Sequence, residues 1–163
     1  MNDYYGLVAG RIQEELKQNK PCANTREEAV LNIIRTADLL TQRIADLLKT
    51  QQLSPAQYNI LRILRGSPDG LCCREVGDRL IARDPDVTRI MDRLEKRNLI
   101  TRHRAKIDRR FVTAKLTREG LELVNLLDEP IQKLHATSIS HMSDGKLSVL
   151  IELLENARFP KEN

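Results

Sequence analysis

A basic segment, residues 84–120, restricts the possible folds of this chain more than any other feature. Its residue pattern predicts a short helix, two β-strands joined by a charged loop, and the start of another helix. Residues 89–118 contain eleven Lys or Arg and three acids, a net charge of +8, whereas the whole chain carries +4. The other residues therefore carry a net charge of −4. A basic element on an otherwise acidic protein is expected where a surface binds phosphate groups.

The predicted helix of this segment has two distinct faces. Apolar side chains recur at the spacing i, i+3, i+4, i+7 and predict a buried stripe of Val87, Ile90, Met91 and Leu94. The opposite face carries Thr88, Arg89, Asp92, Arg93 and Lys96. Asp84 and Pro85 are predicted to be the N-cap and the first residue of the helix. Such a helix suits the major groove of B-DNA, where Arg can bind guanine, although an ordinary surface helix with a solvated charged face has the same pattern.

Two β-prone runs, residues 99–104 and 111–116, follow the helix. Apolar residues alternate onto one face of the second run, namely Val112, Ala114 and Leu116. The loop between the runs, residues 105–110, carries charged side chains that must meet solvent or an anion. Thr117 is predicted to cap the next helix. Helix, hairpin and basic loop together predict a winged helix with the loop as the tip of its wing.

The rest of the chain is predicted to be mainly helical. A capping box of Thr25 with Glu28 opens a long helix to about residue 49. A second box, Ser54 with Gln57 and with proline at the first helical position, opens another helix to residue 65. A short strand is predicted at residues 71–72. Further helices are predicted at residues 4–18, 74–80, 118–134 and 143–157, the third of them bent near Pro130.

Two sequence motifs in the basic segment resemble those of the MarR family of bacterial transcription regulators. The first is VTRIMDRLEKRNLI, which begins at Val87, and the second is DRRxVxxxLTxxG, which begins at Asp108. Both have that family's order and separation. The resemblance implies a single domain, residues 1–163, that is mainly α with a small β-hairpin (α+β). Within it, a winged helix-turn-helix lobe at residues 53–118 would be flanked by N- and C-terminal dimerisation helices at residues 1–49 and 119–163.

The resemblance also implies a function. Such a regulator would bind double-stranded DNA as a homodimer at a pseudo-palindromic operator, repress transcription, and be released by a small aromatic or lipophilic effector. Two recognition helices about one DNA turn apart would fit a two-fold symmetric site. The alternative is a winged-helix module that binds protein or RNA without operator specificity. Salt-sensitive binding to random duplex DNA discriminates between the two, because contacts with phosphates release counterions.

Nine side chains are predicted to contact DNA. They are Ser54, Gln57, Thr88, Arg89, Arg93, Arg104, Lys106, Arg109 and Arg110. The first two lie at a helix N-terminus, which favours a phosphate, and the next three would meet base edges or nearby phosphates. The last four belong to the wing, whose tip would place an Arg in a narrow minor groove. Helix capping for the first pair and solvated charges for the basic residues remain as alternatives.

Asp92 is an acid on the face that should meet phosphates, so a basic partner is expected. By resemblance to the family, that partner is Arg110 of the wing, in an ion pair that would hold the hairpin against the helix. The alternative is a pairing with Lys96 one helical turn later, which would contribute a few tenths of a kcal/mol.

Composition narrows the remaining possibilities. The chain has 163 residues, three Cys and no apolar run of membrane-spanning length. Because its first residues also differ from a signal peptide, we expect a cytoplasmic protein that does not contact membranes. We expect no enzyme activity, no cofactor and no metal, since the sequence contains no known catalytic motif and no His or Cys spacing typical of metal ligands. Cys22, in a loop near Lys20, is a candidate redox thiol or an unreactive cysteine, and Cys72 is expected to be buried as a small hydrophobe.

Overall fold

The computed structural model describes residues 11–20, 22–104 and 112–159. The chain divides into two compact units, Met1–Asp46 and Leu47–Asn163. The elements in the described residues are α1 (Arg11–Glu15), α2 (Thr25–Lys49), α3 (Pro55–Arg65), β1 (Leu71–Cys72), α4 (Cys73–Asp78), α5 (Val87–Lys96), β2 (Ile100–Arg104), β3 (Val112–Leu116), α6 (Arg118–Ser138) and α7 (Asp144–Arg158). The fold is therefore mainly α with a small antiparallel sheet, as the sequence predicted.

The first unit contains α1 and most of α2. The side-chain oxygen of Asn24 accepts hydrogen bonds from the backbone N–H groups of Arg26 and Glu27, both at 3.0 Å. The helix therefore has Asn24 as its N-cap, and the predicted capping box of Thr25 with Glu28 is wrong by one residue. The physical reason is that Asn and Thr stand side by side, and Asn is the stronger N-cap.

The core of the second unit is aliphatic and is built around α3. Fully buried side chains come from most elements of the unit and include Ile60, Leu61, Leu64, Val76, Leu94, Ile100 and Val124. The predicted box of Ser54 with Gln57 is present at the start of α3, with Pro55 at its first position. Helix α3 packs against α5 on one side and against α6 on another, so it links the two.

The sheet has three strands in the order β1-β3-β2, and both pairings are antiparallel. Strands β2 and β3 form the predicted hairpin, in register from Ile100 opposite Leu116 to Arg104 opposite Val112. The predicted short strand is β1, which pairs with the other edge of β3 and places Leu71 opposite Ala114. Both of these side chains are buried, so β1 closes the core at the base of the hairpin.

The turn from β3 into α6 is closely packed against the end of α5. The hydroxyl of Thr117 donates to the carbonyl oxygen of Asn98 at 2.7 Å and accepts from the N–H of Gly120 at 3.0 Å, which confirms Thr117 as the helix cap. The N–H of Thr117 donates to the carbonyl oxygen of Leu99 at 3.2 Å. A Cβ on residue 120 would lie 2.0 Å from that same oxygen, so only glycine fits there.

Several helix boundaries in the described residues differ from the predictions, including the end of α1 at Glu15 instead of residue 18 and the end of α4 at Asp78 instead of residue 80. Helix α5 begins at Val87, because the Asp84 carboxylate accepts the N–H of Asp86 at 2.8 Å and forms a turn. Asp84 and Pro85 therefore precede the helix, and their assignment as N-cap and first residue is wrong. Helix α4 starts at Cys73. Helix α6 continues to Ser138 with Pro130 inside it, four residues beyond the predicted end.

Candidate nucleic-acid interface

Helix α5 presents a basic face to solvent. Its four apolar residues, Val87, Ile90, Met91 and Leu94, are all buried, as their spacing predicted. On the opposite side Thr88, Arg89, Arg93 and Lys96 are exposed. The side chain of Arg89 is 74% exposed, and its pairing with Asp86 at 3.4 Å is a long contact between exposed groups that contributes little. Arg89 can therefore reorient toward a ligand at small cost.

Arg102 of β2 anchors this helix from below. Its Nη1 atom lies 2.7 Å from Oδ1 of Asp92, and its Nη2 atom donates to the carbonyl oxygen of Thr88 at 3.2 Å. Its Nε atom is buried without a hydrogen bond and lies 3.7 Å from a carboxylate oxygen of Glu95. Only 22% of the Arg102 side chain is exposed. These contacts of Arg102 with successive turns of α5 hold the helix against the sheet. Both acids of α5, Asp92 and Glu95, therefore pair with a cation of the protein itself.

The sequence did not single out Arg102, although it carried a usable signal. Ile100 and Arg102 lie two residues apart in a strand, so they share a face, and Ile100 is buried. A charged side chain on the core-facing side of a strand needs a partner, and Asp92 is half-buried directly above it. The predicted pairing of Asp92 with Arg110 lies outside the described residues. The observed partner of Asp92 at 2.7 Å is Arg102 rather than Lys96, the alternative considered from the sequence.

Ser54 and Gln57 act as reciprocal helix caps. The Ser54 Oγ atom accepts the N–H of Gln57 at 3.2 Å, and the Gln57 side chain accepts the N–H of Ser54 at 2.9 Å. Pro55 has no N–H, so the donors left for a phosphate at this end of α3 are the N–H of Ala56, the hydroxyl proton of Ser54 and the side-chain NH₂ of Gln57. The capping alternative is therefore observed, and it leaves room for a phosphate contact.

Four predicted wing residues lie at or beyond the end of β2. Arg104 is the last residue of that strand, and its backbone pairs with Val112 of β3. Lys106, Arg109 and Arg110 lie outside the described residues, so the predicted roles of the wing remain predictions. The β2–β3 ladder places Arg104 opposite Val112, at the end of the same strand that holds α5 through Arg102.

Arg97, at the C-terminal end of α5, makes a second anchor that the sequence did not suggest. Its guanidinium donates to the carbonyl oxygens of Gln52 at 2.6 Å and Gln51 at 3.1 Å, in the turn between α2 and α3. Those carbonyls are accessible because Gln52 has a positive φ of 54°. Helix α5 is thus tied at both ends to neighbouring elements, through Arg102 and through Arg97.

A third long-range contact joins α3 to α6. The guanidinium of Arg65 donates two hydrogen bonds to the carboxylate of Asp128, at 2.7 and 3.0 Å, and one to the side-chain oxygen of Asn125 at 3.0 Å. The hydrogen bonds from Arg65 lower the pKa of Asp128 below its ordinary value, and the same bonds raise the pKa of Arg65. A fork-to-carboxylate geometry of this kind fixes orientation as well as distance.

The three cysteines are free thiols, and all are half-buried. Cys73 lies with its Sγ atom 3.3 Å from Oγ1 of Thr88 on α5. Cys72, expected to be fully buried, is partly exposed, and its N–H donates to the Glu75 carboxylate at 2.7 Å. That hydrogen bond lowers the pKa of Glu75 and caps α4. Cys22 is a free thiol that is partly exposed, and its redox role remains a prediction.

The part of the chain that the structure describes brings no three His, Cys, Asp or Glu side chains together as a metal site. Across the same residues, no helix is both long enough and apolar enough to cross a membrane. The functional features that remain are the basic face of α5, the strand end that leads into the wing, and the capped N-terminus of α3.

Comparison with known proteins places these features in a family. The family model described as MarR family matches residues 53–112. The HTH-type transcriptional regulator MhqR of Bacillus subtilis is 30% identical over 107 residues, which cover 63% of this chain and 70% of that protein. A crystal structure of a MarR transcription factor from Planctomyces limnophilus has 36% identity and a TM-score of 0.64, and covers 83% of this chain and 98% of its own.

A third similar structure is that of the PcaV transcriptional regulator from Streptomyces coelicolor in complex with its natural ligand. It has 26% identity and a TM-score of 0.65, over 77% of this chain and 91% of that protein. The relatives are thus named as transcription regulators rather than enzymes, and at least one of them has a ligand.

Proposed function

This chain belongs to the MarR family of transcription regulators, and we propose that it binds a pseudo-palindromic operator as a homodimer and represses transcription there. The observation that carries the proposal is the basic face of α5. Thr88, Arg89 and Arg93 are exposed on a helix whose apolar face is buried and whose two ends are anchored. A rigid, exposed, basic helix is what reading the edges of bases in a major groove requires.

Homodimer formation is supported by apolar side chains that the chain leaves exposed at both of its flanks. Helix α7 has fifteen residues and no buried side chain, although Val149, Leu150, Ile151 and Leu153 lie on it. In α2, Val30, Ile33, Ile34 and Leu39 are exposed as well. Apolar patches of this kind mark surfaces that another chain covers. A second copy of this chain is the occupant that would also supply the second recognition helix.

The wing would add contacts beside the recognition helix. Arg104, Lys106, Arg109 and Arg110 would meet phosphates or a narrow minor groove, while Ser54 and the end of α3 would bind a further phosphate. The proposed release mechanism is a population shift, in which a small aromatic or lipophilic effector favours a form whose recognition helices no longer match one DNA turn.

Three free thiols agree with a reducing cytoplasm as the site of action.

Binding to random-sequence duplex DNA at two salt concentrations tests the DNA-binding part of this proposal. We expect affinity to fall by about 10³-fold or more between 50 and 200 mM salt if six or more phosphates are contacted. Arg93→Ala should reduce the slope of log affinity against log salt by up to about 0.9, because one phosphate contact is lost.

Lys133→Ala is the matched control, because it removes one exposed charge from α6, away from the recognition helix. This variant should leave the slope unchanged. Salt-insensitive or absent binding would refute the proposal and favour a winged-helix module that binds protein. Equal effects of the two substitutions would instead refute the placement of the interface on α5.

A further inference from the structure

The ion pair between α3 and α6 lies where the DNA-binding elements meet the C-terminal helices. Arg65 is the last residue of α3, and Asp128 lies in the middle of α6. Both side chains are partly buried, with 29% and 40% of their surfaces exposed, and Asn125 accepts a third hydrogen bond from the same guanidinium. Three directional bonds from one planar group therefore connect the two helices, between residues that are 60 and 63 positions apart in sequence.

The two helices lead to different surfaces. Helix α3 packs against α5, so a rotation of α3 would move the recognition helix with it. Helix α6 continues past Asp128 to Ser138 and is followed by α7, whose apolar side chains are exposed. The angle between α3 and α6 therefore sets the orientation of the recognition helix relative to the surface that a second copy of this chain would cover.

We propose that Arg65 and Asp128 are positioning residues that set the separation of the two recognition helices, and through it the half-site spacing that the dimer accepts. The inference rests on the proposed function, because it presupposes a dimer with two half-sites. It assigns specificity for spacing to a pair of residues that need not contact DNA.

Packing alone would fix this angle less well than the ion pair does. Both helices carry buried apolar side chains, Leu64 on α3 and Val124 and Leu127 on α6, and apolar packing of this kind is non-directional. The guanidinium fork, in contrast, accepts the carboxylate only within a narrow range of relative orientations. Arg118 and Glu122 form an ion pair of similar chemistry at 2.8 Å, but both lie in α6, so that pair cannot influence the angle between helices.

A small change of angle is enough to matter. Helix α3 has eleven residues and is about 16 Å long, so a 5° rotation at its end moves the far end by roughly 1.4 Å. In a two-fold dimer the two displacements add to roughly 3 Å, close to the ~3.4 Å rise of one base pair. Loosening the ion pair should therefore let the dimer accept spacings one base pair longer or shorter.

The test is binding to a series of operators that differ only in spacer length. The wild-type operator, obtained by selection, is compared with versions carrying one base pair more and one fewer between the half-sites. We expect the wild-type protein to prefer one spacing by about tenfold or more, since the deformation needed for the others has a cost. Asp128→Asn and Arg65→Lys, which both lose the fork-to-carboxylate geometry, should reduce that preference to about threefold or less.

Two further variants separate positioning from general damage. Glu122→Gln removes the ion pair within α6 and should keep the wild-type spacing preference. The double variant Arg65→Asp with Asp128→Arg restores a pair of opposite charges and should recover part of the preference. Affinity of every variant for random duplex DNA should stay within about twofold of wild type, since no phosphate contact is lost.

Two results would overturn the inference. In the first, Arg65→Lys and Asp128→Asn keep the wild-type spacing preference, which would mean that packing alone sets the angle. In the second, Glu122→Gln relaxes the preference as much as they do. These outcomes differ from failure of the proposed function, in which the wild-type protein itself would show no operator and no spacing preference. Arg65→Lys retains the positive charge, so it keeps the test valid if Asp128→Asn fails to fold.

Discussion

Replacing Gly120 with alanine should destabilise the fold by forcing apart the junction between the sheet and α6. Residue 120 is buried in the first turn of α6, directly against the carbonyl group of Leu99. An alanine Cβ would lie 2.0 Å from the oxygen and 3.0 Å from the carbon of that carbonyl, so one backbone segment must move by about 1 Å or more. The same oxygen accepts the N–H of Thr117 at 3.2 Å, so the movement also stretches that hydrogen bond.

The magnitude follows from two opposing effects. Alanine is favoured over glycine inside a helix by about 1 kcal/mol. Forcing an extra group into a packed site costs about 1–3 kcal/mol, and an overlap with rigid backbone belongs at the upper end. The expected net loss in the free energy of unfolding is about 2 kcal/mol, which for a chain of this size lowers the midpoint of thermal unfolding by about 4–8 °C.

Urea unfolding followed by circular dichroism measures this loss, with all variants at one protein concentration because the stability of the proposed dimer would depend on concentration. Gly77→Ala is the matched control. It lies in α4, where a Cβ would meet only Val87 Cγ2 at an ordinary 3.7 Å. That variant should be more stable than wild type by about 0.5–1 kcal/mol.

A Gly120→Ala variant that is as stable as wild type, or more stable, would show that the Leu99 carbonyl does not restrict residue 120. If Gly77→Ala loses as much stability as Gly120→Ala, the overlap at residue 120 is not the cause of the loss. Opposite signs for the two substitutions are the expected result.

Three further predictions concern the interface and its supports. Arg102→Gln removes the ion pair with Asp92 that supports α5, and should weaken operator binding by about tenfold or more without changing the circular dichroism spectrum. An unchanged operator affinity in a DNA titration would contradict the role of Arg102 as an anchor of α5. Asp128 has a lowered pKa in the folded state, so its pairing with Arg65 stabilises the fold at neutral pH and the contribution disappears as pH falls below about 4. The stability difference between wild type and Asp128→Asn, about 1 kcal/mol for a pair this exposed, should therefore shrink on acidification, and a constant difference from pH 7 to 3 would be evidence against it. Arg89→Ala should relax base preference at one position of each half-site by about 1–3 kcal/mol, measured with an operator mutation series, whereas a uniform loss across all sequences would assign Arg89 to a phosphate instead.

Local rules in the sequence were sufficient for the recognition helix and for most caps. The buried stripe that begins at Val87, the capping box at Ser54 and the cap at Thr117 all depend on residues within one or two helical turns. Such patterns have few alternatives once the apolar spacing is fixed. Where two possible N-cap residues stand close together, the predicted N-cap was the wrong one. Thr25 was predicted where Asn24 caps α2, and Asp84 was predicted where Asp86 precedes α5.

The long-range anchors could not be found in the same way. Arg97, Arg102 and Arg65 each bind groups at least ten residues away, and the chain contains many arginines of similar local context. For Arg65 and Arg97 only the three-dimensional arrangement shows that they lie against a carboxylate or a turn of carbonyls, whereas for Arg102 the strand periodicity gave a signal. The family resemblance predicted Arg110 as the partner of Asp92. Within the described residues, the partner of Asp92 is Arg102 of β2.

The central claim, that this chain is a dimeric regulator that reads a two-fold symmetric operator, is tested most directly by selecting bound sequences from a random duplex library at low and at physiological salt. We expect an enriched inverted repeat whose half-sites are centred about one DNA turn, roughly 34–36 Å, apart. Enrichment of a single unrepeated half-site, or salt-sensitive binding without any enriched sequence, would contradict it.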